Sequence, residues 1–167
     1  MKKMTSMIAA AVLTAGVGAT EFMVECEDFP QADGFVVEYM GKASKGKYLR
    51  MNKKGATVST RTAIPEAGDY YLWVRDYTMC GNSRKAVIYL NGKKVGTFGD
   101  KKTADGKGGV WQWNRSLLKS HLEAGELVIK LVSQSEYTRF DMIILTTDEN
   151  YKPEGSVDDV AELEMFN

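Results

Sequence analysis

DYYLWVRDYTMCGNSRKAVIYLNGKKVGTF, residues 69–98, is the stretch whose reading decides the fold. It reads as three consecutive strands. Tyr70, Leu72 and Val74 fall on one face of the first, with Tyr71, Trp73 and Arg75 on the other. In the second, Ala86, Ile88 and Leu90 alternate with Lys85, Val87 and Tyr89. A period of two is what a chain with one face turned to a core and one to solvent requires. Asn91-Gly92 supplies two residues that tolerate positive φ, as a type I′ hairpin demands, and residues 94–98 return as the third strand. Between the first two strands, residues 76–83 form a polar, turn-rich loop that presents Tyr77. A rigid sheet carrying an aromatic loop suits binding better than catalysis.

The rest of the body repeats this pattern. Phe22, Val24 and Cys26 alternate with Met23, Glu25 and Glu27, and further strands are predicted over 35–40, 48–51, 56–64, 111–117, 126–132 and 139–146. Turn signals separate them: Pro30 and Gly34, the Gly- and Lys-rich 41–47, Pro65 to Gly68, the glycine-rich 99–109, and Glu123-Ala124-Gly125. Only residues 116–122 could pass for a helical turn. Nine or so short strands at regular spacing predict an all-β sandwich.

Composition sets bounds on function. A chain of 167 residues, 44% hydrophobic, suits one globular domain. Formal charge is zero overall but unevenly spread: residues 147–167 carry seven acids against Lys152. No run of Lys and Arg is interleaved with aromatics, so nucleic acid is excluded as the expected partner. Lys42, Lys45, Lys47, Lys53 and Lys54 read as a solvated loop face. At the N-terminus, Lys2 and Lys3 precede an apolar run from Met7 to Gly18, with small residues up to Ala19. This is the pattern of a secretory signal peptide, with the mature protein starting near Thr20, and the run is too short to span a bilayer comfortably. The expected location is therefore secreted, extracellular or periplasmic, with no membrane segment after cleavage. Export would permit a Cys26–Cys80 disulfide, but two cysteines say nothing about their separation.

Several motifs, in order, resemble a known pattern. They are Glu25-x-Glu27-x-Phe29; Ile64-Pro65-Glu66-Ala67-Gly68-Asp69-Tyr70-Tyr71 running into Val74-Arg75; Leu90-Asn91-Gly92; Gly108-Gly109-Val110-Trp111-Gln112-Trp113; Glu123-Ala124-Gly125-Glu126; and residues 139–145, RFDMIIL. Together they resemble the galactose-binding-domain-like sandwiches, notably carbohydrate-binding modules of families 6 and 35 from secreted polysaccharide-active proteins. The resemblance spans residues 21–151 and implies a jelly roll of two antiparallel sheets.

It also implies a site for each of two ligands. Glu25, Glu27 and Asp141 match the positions of a structural calcium, which suits clustered carboxylates outside the cell. The alternative is that Glu25 faces solvent while Asp141 pairs with Arg139 or a backbone amide. For a glycan or polysaccharide, the resemblance puts Trp111 and the Tyr77 loop on opposite sides of a cleft at the sandwich edge. Asn82 and Arg84 are the nearest polar candidates, and Trp113 shares the face of Trp111. Where family 6 modules often carry an asparagine before the last-strand aspartate, this chain has Arg139-Phe140, which suits an anionic sugar or a neighbouring carboxylate. Trp73 is expected in the core.

No catalytic constellation is found. His121 is the lone histidine, no serine lies in a GxSxG context, and no acid pair has an evident rigid setting. The expectation is a non-catalytic, exported, carbohydrate-binding sandwich. A protein-interaction domain that has lost sugar binding is the alternative, with a polysaccharide hydrolase or esterase as the third reading. The acidic tail, residues 152–167, is either a frayed end or a segment that docks on the sandwich or on a protein partner.

Overall fold

The computed structural model describes residues 11–15, 19–78, 85–99, 109–117 and 119–154. Twelve strands are present among the described residues: β1 (Ala11–Ala15), β2 (Ala19–Glu25), β3 (Phe35–Tyr39), β4 (Lys47–Met51), β5 (Thr57–Ile64), β6 (Gly68–Thr78), β7 (Ala86–Leu90), β8 (Lys93–Phe98), β9 (Val110–Arg115), β10 (Ser120–Leu122), β11 (Gly125–Ser133) and β12 (Arg139–Thr146). They form an eight-stranded and a four-stranded antiparallel sheet, the latter in the order β5-β11-β7-β8.

The last strand organises the larger sheet. One edge of β12 pairs with β6 along residues 140–146, while β4 and β2 share the other edge. β4 takes Arg139 and Phe140, and β2 takes Met142 to Thr146. The register breaks between Phe140 and Met142, so Asp141 sits at a bulge where the edge passes from one neighbour to the other. The far edge of β6 is likewise divided, between β9 and β10.

Alternation explains why the sheets face each other. β5 reads exposed-buried over all eight residues, and β11 buries Leu127, Ile129, Leu131 and Ser133. Against them pack Phe22, Val24, Leu49, Met51, Tyr70, Leu72, Val74, Phe140, Ile143 and Leu145 from the larger sheet. Fully burying one such aliphatic side chain stabilises by about 1.5–3 kcal/mol before chain entropy is counted. Phe22 and Tyr70 meet edge to face, centroids 6.3 Å apart, and the Tyr70 hydroxyl donates to the Glu66 carbonyl at 2.8 Å. The β7–β8 hairpin turns on Asn91 (φ 47°) and Gly92 (φ 80°), as expected.

Two expectations are corrected. β6 continues to Thr78, so Tyr77 stands on a strand rather than in a loop, held there by pairing with β9. Residues 120–122 form a strand on β6 and not a helical turn, because Gly68 to Tyr70 leave an edge open to them. β1 falls inside the predicted leader and lies on β2, from Ala11 opposite Met23 to Ala15 opposite Ala19. No helix among the described residues is long and apolar enough to cross a membrane.

Candidate functional site

The outward face of the larger sheet carries a row of aromatic and cationic side chains. Tyr71, Trp73, Arg75 and Tyr77 point to it from β6, and strand register sets Trp113 beside Arg75 and Trp111 beside Tyr77. From β4, which reaches the same face through β12, comes Tyr48. The Trp111 ring centroid is 5.1 Å from that of Tyr77 and 5.6 Å from that of Tyr48, both edge to face at 66°. The Arg139 guanidinium carbon lies 5.2 Å from the Tyr77 centroid and 5.7 Å from that of Tyr48, and Arg75 lies 5.7 Å from Trp111. Tyr48 donates its hydroxyl to Glu38, which also pairs with Arg50 at 2.9 Å. Burial, then the Glu38 bond, raises the Tyr48 pKa, so the ring stays a neutral phenol.

This geometry corrects the expected cleft. A pyranose between two rings needs them about 8 Å apart, two van der Waals contacts, and Tyr77 and Trp111 already touch. A sugar would lie over the row and not between its members. Trp113 is corrected more firmly. It is only 8% exposed, packed with Trp73 and Ile144 in a second apolar cluster. The segment after β12 covers it: Tyr151 packs on this cluster, and the Trp113 indole donates to the Glu154 carbonyl at 3.0 Å. Tyr151 is itself tied by its hydroxyl to Glu21 at 2.7 Å. Trp73 is buried as expected, but in this outer cluster rather than between the sheets. Asn82, Arg84 and Cys80 lie outside the described residues, as does the tail from 155 onward.

Next to the aromatic row lies the acid cluster. Carboxylate oxygens of Glu25, Glu27 and Asp141 all come within 4.8 Å of one another. The cause is the β12 bulge, which faces the end of β2 and the 3-10 turn Cys26–Asp28 that follows it. Asp141 is fully buried and is held by Arg75 and by the Ser44 amide (3.1 Å) and hydroxyl (2.9 Å). Glu25 accepts the Ser44 hydroxyl at 2.7 Å and meets Lys45 at 3.5 Å. Of the alternative reading, in which Asp141 pairs with Arg139 or a backbone amide, the backbone amide is found, that of Ser44, while the cation beside Asp141 is Arg75. Both oxygens of Glu27 are buried with no hydrogen-bond partner. Burial raises the Glu27 pKa; its own backbone amide opposes this, and the charges of Glu25, Asp28 and Asp141 add to the rise. The same burial and carboxylates push the neighbouring Cys26 thiol well up, and Cys26 is a free, buried cysteine. Two unsatisfied buried carboxylate oxygens facing two further carboxylates are what a hard cation would satisfy. The residues fit calcium.

Solved structures supply the comparison. The chain is 18% identical to the C-terminal family 6 carbohydrate-binding module of a laminarinase from Zobellia galactanivorans, with a TM-score of 0.61 over 75% of this chain and 98% of that one. The fold is that of a carbohydrate-binding module. A family 35 module from Paenibacillus barcinonensis gives 22% identity and a TM-score of 0.60, over 75% and 98% of the two chains. A module of Cellvibrio mixtus lichenase 5A, solved in complex with cellotriose, gives 20% and 0.59, over 77% and 97%. No protein-family model and no curated protein matches the sequence. The carbohydrate-binding-module fold accounts for the two sheets, and the sandwich of two antiparallel sheets expected from the sequence is the architecture found.

Sequence reasoning missed Tyr48, Ser44 and Arg75. Tyr48 carried the right signal, an aromatic on a polar strand face, but its place beside Trp111 depends on β12 joining β4 to β6. Arg75 stood within a quoted motif without a role, and the structure gives it two: neutralising Asp141 and flanking Trp111. His121 is exposed, paired with Asp69 at 2.9 Å and near Glu123 at 3.5 Å.

Proposed function

We propose that the protein is an exported, non-catalytic carbohydrate-binding domain that holds a glycan or polysaccharide on the partly exposed pair Tyr77 and Trp111, which the buried Tyr48 ring backs. The observation that carries this is the partly exposed Tyr77–Trp111 pair on a rigid sheet face, backed by buried Tyr48 and flanked by Arg139 and Arg75. Aromatic faces accept the apolar face of a pyranose, and fixed polar groups at the rim choose among sugars. The Trp111 indole N–H is buried without an acceptor, a cost that a ligand oxygen reaching it would relieve. The solved neighbours with this fold include a module in complex with cellotriose, which supports the same class of ligand here.

Calcium would be held by Glu25, Glu27 and Asp141, bracing the junction of β2, β4 and β12 and taking no part in chemistry. It would also fix Asp141, and through it Arg75 beside Trp111, so metal and glycan sites are mechanically joined. Residues 1–19 would direct export and be removed, freeing the β2 edge that β1 covers; the N-terminal sequence of the exported protein tests this.

Calorimetric titration of the protein with a panel of neutral and acidic glycans, with and without a chelator, tests the main proposal. The Trp111→Ala variant should bind at least tenfold more weakly while remaining folded. Wild type that is folded, calcium-loaded and silent across the panel would instead assign the row to a protein ligand.

A further inference from the structure

Among the described residues, two cations stand against the three carboxylates of the acid cluster, and they are held very differently. Arg75 is locked: it pairs with fully buried Asp141, donates to the Lys42 carbonyl at 3.3 Å, and its side chain is only 25% exposed. Lys45 meets Glu25 alone, its ammonium 3.5 Å from the carboxylate, and its side chain is 58% exposed. Glu27 is matched by neither. We propose that Lys45 is a tethered stand-in for the ion: it neutralises Glu25 in the metal-free chain, gives that carboxylate up when calcium binds, and so sets the calcium affinity of the cluster. The inference rests on the calcium reading of Glu25, Glu27 and Asp141 and makes no use of the aromatic row.

The turn between β3 and β4 puts the ammonium there. The Met40 amide donates to the Gly46 carbonyl at 2.9 Å, Ala43 to Met40 at 2.9 Å and Gly46 to Ala43 at 3.0 Å, closing residues 40–46 into a compact turn. The Ser44 amide donates to both Asp141 oxygens at 3.1 Å, which pins the turn over the cluster. The Ser44 hydroxyl lies 2.7 Å from Glu25 and 2.9 Å from Asp141, but it has a single proton and cannot satisfy two carboxylates. Asp141 has Arg75 and the amide besides, so the charge of Glu25 falls to Lys45. A lysine ammonium is a compact charge on a flexible stem, and an exposed ion pair of this kind holds only weakly. A hard divalent cation prefers carboxylate oxygens and offers Glu25 twice the charge. Lys45 then turns out to solvent at little cost, whereas Arg75 stays on Asp141, which water does not reach. Until the ion arrives, the ammonium lowers the repulsion among carboxylates that the junction of β2, β4 and β12 would otherwise carry.

The test is calcium titration of the full chain, by calorimetry and by competition with a chromophoric chelator, for wild type, Lys45→Met, Lys45→Arg and Lys54→Met. The last removes an exposed charge from the loop between β4 and β5, as a control. Lys45→Met should bind calcium about three- to tenfold more tightly than wild type, because a positive charge beside the ion is gone. Its metal-free melting temperature should nevertheless fall, by at most roughly 4 °C. A side chain with a structural role alone would lower both. Lys45→Arg, which keeps the charge, should restore the wild-type affinity, and Lys54→Met should match wild type. Added salt should narrow the gap between wild type and Lys45→Met, because exposed charges are screened. Equal or weaker calcium binding by Lys45→Met, or an equal gain in Lys54→Met, would overturn the proposal and leave the calcium reading standing. No calcium binding by any of the four proteins would overturn both.

Discussion

Replacing Glu27 by glutamine keeps the shape of a buried side chain and removes a charge that no protein group satisfies. If calcium occupies the cluster, wild type should gain stability from the ion by the logarithm of its saturation. For an extracellular site with a dissociation constant near 0.1 mM, about 10 mM calcium is a hundredfold excess and adds ~2.7 kcal/mol. In a chain of this size each kcal/mol moves the melting temperature by roughly 2–4 °C, so the expected rise over chelated protein is about 5–11 °C. Glu27→Gln should show two opposite effects. Without metal it should melt above wild type, because a buried, unpaired carboxylate is gone. With metal it should gain little, because one of three anionic ligands is lost. Differential scanning calorimetry of both proteins, in chelator and in calcium, reads all four values. An equal calcium-induced rise in the two proteins, or none in wild type, would refute the assignment of Glu27 to the ion.

Other expectations follow from the same geometry. Calcium affinity should fall as pH is lowered through the raised Glu27 pKa, because the ion requires the charged form. The metal-free protein should show the reverse: stability contributed by protonated Glu27 is present below the unfolded value near 4.3 and lost as pH rises through the folded one. Titrations at several pH values in chelator and in calcium separate the two trends. Trp113→Ala should cost about 3–5 kcal/mol of stability, whereas Trp111→Ala should chiefly weaken glycan binding; denaturant melts beside binding curves distinguish them. Gly92→Ala, at a φ of +80°, should destabilise by about 1 kcal/mol, read by the same melts and without effect on binding. Arg75→Met should cost about 3–5 kcal/mol in the metal-free protein by stranding buried Asp141, with a smaller loss once calcium is added.

The sandwich was legible because its strands obey local rules. β5 alternates without a fault, β2 hides Phe22 and Val24 while showing Met23 and Glu25, and Asn91-Gly92 has one economical conformation. The site was legible in part. Glu25, Glu27 and Asp141 come together as the motif resemblance implied, and Tyr77 and Trp111 become neighbours, though as touching rings. What sequence could not show is set by non-local pairing. Trp111 and Trp113 sit on one face of one strand, and nothing in VWQWNR separates them. Their different exposure comes from Tyr151 and Glu154, delivered by a segment far along the chain. Tyr48 and Arg75 acquire their roles in the same way, from the shared edge of β12.

The strap from Asp148 to Glu154 also sets the length of the platform. The sheet beneath it continues the aromatic row past Trp111 to Trp113 and, one strand over, to Trp73, with Arg115 at 5.9 Å from the latter ring. Only the overlying residues stop that row after Trp111. If the row binds a polymer as proposed, a sandwich of this kind could lengthen or shorten its footprint by moving residues 148–154, leaving every strand, the core and the acid cluster as they are. On the proposed glycan-binding reading, the number of sugar units gripped would be set by the residues just after β12, free to drift separately from the fold that supports them.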